Sequence, residues 1–365
     1  MKPNSKILVT GGAGFIGTNL CAKLINDGHR LTVLDNLYTG SQTNVDYLEQ
    51  LAHDRGMSVL THESTLHPKF DCDFQFYNYD VTRSLYSNAC QFNPLCSMPA
   101  IGLLDGVDMI FHLACPASPS KYQINMVNTL NTCVAGVYNL LLVATEKKIP
   151  MVFTSTSEVY GDPDKYHPYQ NEEYWGNVNP MGVRSCYDEG KRCAEAYCFS
   201  FNRQCDTQIK VARLFNSYGP HMNPDDGRVI STFIMQALRG EPITIYGTGK
   251  QTRSYCFVDD TVRGLIALME HPCHTDINGK LTAINFGNNK ECYSVNEIAL
   301  KIKAMTDSKS EIVHKELPED DPHMRRPATG TALSHCNWQP EVDIEQGLKK
   351  TIQYFKQFVK GINHV

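Results

Sequence analysis

The sequence lacks the features that mark nucleic-acid-binding and membrane proteins. Its formal net charge is −5 at pH 7 and no run of basic residues stands out, so a nucleic-acid surface is not expected. No apolar run reaches the roughly 18 residues that a membrane-spanning helix needs. The segment Met1–Ser5 is polar and passes straight into a strand-like run, unlike a secretory signal peptide. We therefore expect a cytoplasmic protein that contacts neither nucleic acid nor membrane.

Closely spaced cysteine pairs are also absent. The 14 cysteines are scattered singly, and a chain of 365 residues does not depend on disulfides for stability. The segment 271–274, His-Pro-Cys-His, is the nearest approach to a metal tract, but it lacks a second group of ligands and its proline favours a loop. We predict reduced thiols and no metal site.

A glycine-rich turn lies near the N-terminus, between a predicted strand and a predicted helix. The apolar run Ile7–Val9 leads into Gly11, Gly14 and Gly17, and an amphipathic stretch over Asn19–Ile25 follows. Glycines at this spacing allow a tight turn and a close approach of a pyrophosphate, and the helix start supplies N–H groups and a positive dipole. The pattern predicts a dinucleotide-binding unit.

An acidic residue stands where such a unit binds the adenosine ribose. A second predicted strand, Leu31–Leu34, ends at Asp35, at the usual sequence distance from the glycines. Its carboxylate would accept hydrogen bonds from the ribose hydroxyls and repel a 2′-phosphate, which favours NAD over NADP. The alternative is that Asp35 is only a turn residue before Asn36.

A tyrosine and a lysine four residues apart form the candidate catalytic pair. Residues at this spacing share one face of a helix, so Lys191 would hold a positive charge near the Tyr187 hydroxyl. We expect this charge to lower the pKa of the phenol from about 10 to about 7–8, where it can accept a proton from an alcohol. The alternative is an ordinary surface helix with a solvated lysine.

The order of predicted elements indicates the fold class. Strands alternate with helices, including Met126–Lys147, and the predicted strand Met151–Thr154 carries Ser-Thr-Ser-Glu at its carboxyl end, where ligands bind in a doubly wound sheet. Two irregular stretches, 53–73 and 88–106, are long enough to be functional loops or insertions.

We predict an α/β fold with a Rossmann-type doubly wound parallel sheet and a smaller C-terminal lobe. Residues 1–215 would form the NAD-binding domain. Residues 216–365, richer in turns, would form mainly an α/β lobe that binds substrate, with chain crossings between the two.

The sequence also contains several longer distinctive strings. They are His112–Pro119, Thr156–Pro163, Tyr174–Pro180, Arg184–Arg192, Phe215–Pro220, Asp226–Val229, Gln251–Ser254 and Arg325–Pro327. Together they resemble one branch of the extended short-chain dehydrogenase/reductase family, the UDP-glucuronic acid decarboxylases. The resemblance covers nearly the whole chain apart from the two irregular stretches.

The resemblance implies a catalytic set of Thr156, Glu158, Tyr187, Lys191 and Arg325. In the implied reaction Tyr187 takes a proton from the sugar C4 hydroxyl while hydride passes to NAD, and Thr156 hydrogen-bonds the same oxygen. The 4-keto sugar then loses carbon dioxide, and the hydride returns, so NAD is recycled and no net oxidation occurs.

The resemblance also implies two sets of binding residues. The NAD site would contain Gly11, Gly14, Phe15, Ile16, Gly17, Asp35, Asn36, Thr39, Gly40, Asp80, Val81, Leu113, Ala114, Tyr187 and Lys191. The UDP-sugar site would contain Asn216, Arg228, Val229, Tyr246, Gln251, Arg253 and Arg325.

Related reactions remain as alternatives. Nucleotide-sugar 4,6-dehydratases and 4-epimerases begin with the same oxidation, but similar dehydratases have an aspartic acid where this chain has Ser157, and such epimerases generally lack the glutamate at 158. A catalytically silent protein that binds NAD and a nucleotide sugar is a third reading, which the presence of Tyr187 and Lys191 disfavours.

The chain departs from the resembling family at three basic positions. It has Asn128, Asn131 and His221 where lysine, lysine and arginine are usual, which leaves the substrate's identity less defined than the fold. The resemblance further implies a homodimer in which the helices Met126–Lys147 and Tyr187–Phe201 pair across a two-fold axis.

Overall fold

A parallel β-sheet of eight strands organises the fold in the computed structural model. The structure describes residues 1–62, 72–85, 104–164, 166–272, 281–320 and 322–359. The strand order is β12-β7-β6-β5-β1-β2-β4-β3, and every neighbouring pair is parallel. The strands of this sheet are β1 (Lys6–Thr10), β2 (Arg30–Asp35), β3 (Val59–His62), β4 (Phe74–Asn78), β5 (Met109–His112), β6 (Met151–Thr156), β7 (Ile209–Leu214) and β12 (Ala283–Phe286).

Helices cover both faces of the sheet, so its central strands are buried on both sides. Successive side chains of a strand point to opposite faces. Ile7 and Val9 accordingly belong to one apolar cluster and Leu8 to another. The helices are α1 (Phe15–Asn26), α2 (Gln42–Asp54), α3 (Pro119–Tyr122), α4 (Met126–Asn131), α5 (Val137–Lys147), α6 (Ser185–Cys205), α7 (Val229–Arg239), α8 (Val258–Glu270), α9 (Val295–Met305), α10 (Gly330–Cys336) and α11 (Ile344–Phe355).

Small sheets build the lobe that follows the main alternation of strands and helices. They pair β8 with β11, β9 with β14, and β10 with both β13 and β15. Their strands are β8 (Ser217–Tyr218), β9 (Ile243–Tyr246), β10 (Thr252–Arg253), β11 (Cys256–Phe257), β13 (Tyr293–Ser294), β14 (Ile312–Lys315) and β15 (Met324–Arg325). The chain does not stay in this lobe, because β12 returns to the main sheet and pairs with β7.

The predicted helix Met126–Lys147 contains an irregular turn. Residues 132–136 form a π-helical turn between α4 and α5. The segment is long and apolar enough to cross a membrane by length and composition alone, but the buried core helix of a soluble protein passes the same test. Here 44% of its most apolar stretch is buried inside the protein, and it packs beside α6.

The prediction for the first irregular stretch was partly wrong. Residues 53–73 were expected to form an exposed loop, yet they include β3, which pairs with β4 at one edge of the sheet. The run Val59–His62 is too short to separate from a loop by its own pattern, and pairing with β4 makes it a strand. Residues 63–71 of that stretch and residues 88–103 of the second lie outside the described residues.

Candidate active site

A cavity of about 790 Å³ opens at the carboxyl ends of the parallel strands, between the main sheet and the smaller sheets. This is the end at which doubly wound sheets bind their ligands. Residues from both regions of the sequence line it, including the glycine turn, Tyr187 and Arg325. A ligand in the cavity would therefore contact residues of both sequence regions.

The glycine turn lets a ligand approach the backbone closely, because Gly11, Gly14 and Gly17 have no side chains. Gly11 has φ +72°, and a Cβ there would lie 2.7 Å from the backbone nitrogen of Ala114. A Cβ on Gly17 would lie 2.0 Å from the Gly11 carbonyl oxygen, so α1 can begin directly against the turn only with glycine there. This geometry fits a dinucleotide pyrophosphate at the start of α1.

Asp35 ends β2 at the edge of the cavity and is held by backbone N–H groups. Its Oδ2 accepts a hydrogen bond of 3.0 Å from Ala13 N, and its Oδ1 accepts one of 2.8 Å from Leu37 N. Burial raises the pKa of the Asp35 carboxyl, and these N–H donors partly offset the effect. The arrangement orients the carboxylate toward the space beside the glycine turn, as an adenosine ribose requires.

Thr156 and Glu158 leave β6 in a tight turn. Thr156 Oγ1 accepts a hydrogen bond of 3.2 Å from Glu158 N and caps the 3₁₀ turn Ser157–Tyr160. Thr156 and Tyr187 both line the cavity, and the Thr156 hydroxyl partly opposes the rise in the pKa of the Tyr187 phenol. This turn thus fixes the Thr156 and Glu158 side chains at the carboxyl end of β6.

Tyr187 lies in the first turn of α6, and Lys191 lies one turn later. Lys191 Nζ donates a hydrogen bond of 2.8 Å to the Thr154 carbonyl and stands 6.0 Å from the centre of the Tyr187 ring. The prediction that Lys191 lowers the pKa of the Tyr187 phenol is wrong for the protein without bound ligands. Burial, together with the thiols of Cys115 and Cys133, raises the pKa of Tyr187 well above its usual value.

Two arginines converge on Glu158 beside this pair. Arg325 Nη2 donates a hydrogen bond of 2.8 Å to Glu158 Oε2, and Arg184 donates to the same oxygen. Burial alone would raise the pKa of Glu158, but the guanidiniums outweigh it and hold the pKa far below its usual range. Arg325 is only 1% exposed, and the second terminal nitrogen of its guanidinium, Nη1, donates to the Gly161 carbonyl. Glu158 is therefore ionised, and the two arginines hold its carboxylate in one position.

A second carboxyl in this network behaves differently. Asp188 Oδ2 lies 3.7 Å from Arg184 Nε, but Asp188 Oδ1 has no hydrogen-bond partner among the described residues. Burial and the neighbouring charge of Glu158 raise the pKa of Asp188 to about 8. Two neighbouring carboxyl groups, the half-buried Glu158 and the buried Asp188, are thus held in opposite protonation states near neutral pH.

The cavity brings together almost all of the predicted site residues. Only Asp80 is absent from its lining; Asp80 accepts a hydrogen bond of 3.1 Å from Asn36 instead. The others that line it are Gly11, Gly14, Phe15, Ile16, Gly17, Asp35, Asn36, Thr39, Gly40, Val81, Leu113, Ala114, Thr156, Glu158, Tyr187, Lys191, Asn216, Arg228, Val229, Tyr246, Gln251, Arg253 and Arg325.

Two arginines predicted to bind substrate differ in their surroundings. Arg228 Cζ lies 5.6 Å from the centre of the Phe15 ring and pairs with Asp226, which places it against the glycine turn. Arg253 stands opposite Arg325 in the β10–β15 pair, and it donates to the backbone carbonyls of residues 252, 322 and 323. Arg228 therefore lies at the cofactor side and Arg253 at the side of the smaller sheets.

The three unusual positions are not equivalent. Asn128 lines the cavity, whereas Asn131 is exposed outside it. His221 lines the cavity with its ring 4.4 Å from the Tyr47 ring and 5.0 Å from the Tyr354 ring. Burial lowers the pKa of His221 to about 4, so it brings no positive charge at neutral pH.

Sequence reasoning missed several side chains of the cavity. The Tyr122 ring stacks on the Tyr187 ring at 5.0 Å with an interplanar angle of 5°, and its buried hydroxyl has no hydrogen-bond partner among the described residues. Lys121, beside it, also lines the cavity. Both belong to the single turn of α3, which is too short to show a periodic pattern. The only available signal was their position soon after a strand that ends at the cavity.

Comparison with known proteins places the chain among nucleotide-sugar enzymes. A profile of the NAD dependent epimerase/dehydratase family matches residues 7–282. UDP-glucuronic acid decarboxylase 1 of Xenopus tropicalis is 41% identical over 98% of this chain and 73% of its own length. UDP-glucuronic acid decarboxylase 3 of Arabidopsis thaliana is 43% identical over 95% of this chain and 88% of its own.

Solved structures share the fold. The UDP-glucose 4-epimerase of Thermotoga maritima with UDP-glucose superimposes with a TM-score of 0.78, at 27% identity over 97% of this chain and 99% of that one. The UDP-glucuronic acid 4-epimerase of Bacillus cereus, in complex with UDP-glucuronic acid and NAD, gives a TM-score of 0.77 at 24% identity over 97% of this chain and 99% of that chain. The second likeness concerns the fold alone.

Proposed function

The chain belongs to the NAD dependent epimerase/dehydratase family, and we propose that it converts UDP-glucuronate to UDP-xylose by decarboxylation through a 4-keto intermediate. The cofactor is NAD. The observation that carries the proposal is one cavity in which Tyr187 and Thr156 lie beside the Glu158–Arg325 pair.

The residues around the glycine turn fit the cofactor. The turn accommodates a pyrophosphate, and Asp35 disfavours the additional phosphate of NADP. When bound, NAD would accept hydride from the sugar C4 and return it at the end of the cycle. The remaining steps are proton transfers and cleavage of the bond between C5 and the carboxylate carbon, and side chains of this chain would carry the protons and stabilise the charges.

Tyr187 and Thr156 handle the C4 oxygen. Tyr187 would take the hydroxyl proton, and Thr156, which lines the same cavity, would donate to the same oxygen. The C4 ketone formed is β to the C5 carboxylate, so loss of carbon dioxide leaves an enolate. Its negative oxygen would sit within reach of the same two hydroxyls, and protonation at C5 gives the 4-keto pentose. The hydride returned to C4, with a proton to its oxygen from Tyr187, would then give the product alcohol.

The Glu158–Arg325 pair would act on the carboxylate end of the sugar. Glu158 is ionised and rigid, so it repels a second carboxylate unless the arginines offset it. Expulsion of a neutral gas from a charged group is favoured where the charge is poorly solvated. We therefore propose that Arg325 orients the substrate and that Glu158 positions Arg325.

Product analysis tests this function. Purified protein, UDP-glucuronate and NAD should yield carbon dioxide and a UDP-pentose, detected by mass spectrometry. A 4-epimerase would give a product of unchanged mass, and a 4,6-dehydratase acting on UDP-glucose would give loss of water. Binding without turnover would support the catalytically silent alternative and contradict the proposal.

We also propose that the chain forms a homodimer in the cytoplasm. Apolar side chains are exposed along α4, α5 and α6, among them Val127 at 72% exposure, Leu130, Tyr138 and Phe199. An isologous dimer would cover such a face. The cytoplasmic location rests on the scattered cysteines, and cell fractionation would test it.

A further inference from the structure

Two thiols lie in contact at the wall of the cavity. Cys115 Sγ and Cys133 Sγ are 3.1 Å apart, although the residues are separated by 18 positions in sequence. Cys115 follows β5 and lines the cavity, whereas Cys133 lies in the π-helical turn and is 2% exposed. One thiol is thus reachable from the cavity, and the other stands directly behind it.

This pair packs against the catalytic tyrosine. Cys133 and Tyr187 belong to one buried apolar cluster, and Cys115 packs on that cluster. A Cβ on Gly190 would lie only 2.9 Å from the Cys133 Cβ, so Cys133 touches α6 between Tyr187 and Lys191. A change in the position of either sulfur therefore acts on α6, the helix that carries Tyr187 and Lys191.

The two thiols differ in reactivity. Burial raises the pKa of Cys115, but the hydrogen bond from Cys133 and the charge of Lys191 outweigh burial and lower it below the usual value. The same contact and burial raise the pKa of Cys133. A thiol with more thiolate character at an accessible position, beside a second thiol, is the arrangement found at redox-sensitive cysteines.

We propose that Cys115 and Cys133 are a redox modification site that forms a disulfide with a peroxide as oxidant and thereby lowers turnover. The Cys115 thiolate attacks one peroxide oxygen, the O–O bond breaks, and hydroxide leaves as Cys115 becomes a sulfenic acid. The Cys133 sulfur then attacks the Cys115 sulfur and displaces the hydroxyl, which leaves as water with the Cys133 proton. Two thiols are oxidised and one peroxide is reduced.

The disulfide requires a small movement with a large effect. A disulfide bond is about 2.05 Å long, so the sulfurs must approach by about 1 Å. This draws the segment after β5 and the π-helical turn together directly against Tyr187. Because misplacing catalytic groups by about 1 Å can cost about 10²-fold in rate, we expect turnover to fall by about 10-fold or more.

Peptide mapping tests the site independently of the reaction. Reduced enzyme with NAD bound is treated with hydrogen peroxide, free thiols are alkylated, and the protein is digested without reductant. Trypsin cleaves after Lys121, between the two cysteines, so the disulfide appears as a linked pair of peptides, 84–121 and 122–147. Fragmentation of the pair by tandem mass spectrometry assigns the bond to Cys115 and separates it from a bond at Cys90 or Cys96 of the same peptide. We expect the linked pair to appear as decarboxylase turnover falls, and dithiothreitol to separate the peptides and restore turnover.

Matched variants separate the disulfide from general oxidation. Cys205→Ser, at an exposed position at the end of α6, should form the linked pair as the unchanged protein does. In Cys133→Ser and Cys133→Ala, Cys115 should instead carry two or three oxygens, and dithiothreitol should not restore turnover. Each enzyme is compared with its own reduced state.

Two results would overturn the proposal. One is Cys115 remaining fully alkylated at peroxide doses that oxidise Cys205. The other is a linked peptide pair without loss of turnover. The activity comparison rests on the proposed decarboxylation, whereas the peptide mapping does not depend on it. A linked pair in a protein that never releases carbon dioxide would therefore contradict the proposed function but not the disulfide.

Discussion

Tyr187 is the residue whose hydroxyl the proposed reaction uses at each stage, as base, enolate partner and acid. Tyr187→Phe removes the hydroxyl and keeps the ring that stacks on Tyr122. NAD should remain bound, and turnover should fall by about 10²-fold or more because proton transfer is lost. Product formation and NAD content measured together would show this. Tyr166→Phe, at an exposed position, is the control, and near-normal turnover in Tyr187→Phe would exclude it as the base.

Asp188 makes stability depend on pH. Its pKa is about 8 in the folded protein and about 4 in an unfolded chain. Between these values the folded state holds a proton that the unfolded state has lost, so the free energy of unfolding falls as pH rises from about 4 to about 8. One such group contributes up to about 1.4 kcal/mol per pH unit.

Asp188→Asn should remove that dependence. Urea unfolding near pH 5 and near pH 8 should show the variant gaining stability relative to the unchanged protein at the higher pH. Asp206→Asn, at an exposed position, should follow the unchanged protein at both. Parallel behaviour of Asp188→Asn and the unchanged protein would contradict a protonated Asp188.

Arg325 and Arg253 should separate catalysis from binding. Arg325 contacts Glu158 near the reacting centre, so Arg325→Ala should lower decarboxylation more than it weakens binding of UDP alone. Arg253→Ala should do the reverse, weakening UDP affinity about tenfold, as expected for loss of a hydrogen bond from a charged group.

Calorimetry with UDP and mass spectrometry of products would measure the two effects. Arg325→Lys and Arg253→Lys keep the charge without the paired donors and test the geometry of the contacts. Unfolding temperatures control for the loss of a buried ion pair at Arg325. Equal, small effects in both alanine variants would place the anion site elsewhere.

At the scale of elements, the π-helical turn is held by tight packing around one glycine. A Cβ on Gly136 would lie 2.9 Å from Val81 Cγ2, and His112 stands close behind. Gly136→Ala should therefore lower the free energy of unfolding by about 1–3 kcal/mol through overpacking. Gly330→Ala, where nothing lies within 4 Å, should change it little. Urea unfolding of both would decide, and equal effects would contradict the packing argument.

Local patterns predicted the elements that are built from contiguous residues. The strand, glycine turn and helix of residues 6–26, and the helix that carries Tyr187 and Lys191, have periodicities long enough to read. The π-helical turn left no signal, because a single shifted hydrogen bond barely alters the apolar period. β3 became a strand only by pairing with β4.

The parts of the site that could not be predicted depend on distant contacts. The stack of Tyr122 on Tyr187 and the convergence of Arg184 and Arg325 on Glu158 join segments far apart in sequence. The pKa of Tyr187 was predicted in the wrong direction for the same reason. Helical spacing revealed Lys191 but not the burial and the two thiols that surround the phenol.

For the whole molecule, we predict a dimer through the exposed apolar side chains of α4, α5 and α6. Light scattering at micromolar concentration should give twice the mass of the 41.1 kDa chain. Val127→Asp should yield monomers, because a charge at the centre of an apolar interface is costly to bury. Leu300→Asp, likewise a charge on an exposed residue but in α9, is the control for solubility. A monomer in the unchanged protein would exclude the dimer.

The return of β12 to the main sheet also governs how the protein can be made. During synthesis β7 emerges from the ribosome about 70 residues before its neighbour β12, so its outer edge stays open while residues 215–282 are translated. An open parallel edge is a template for pairing with other chains. Translation pauses within residues 216–282, or a gene truncated there, would therefore expose the nascent chain to aggregation and chaperone capture.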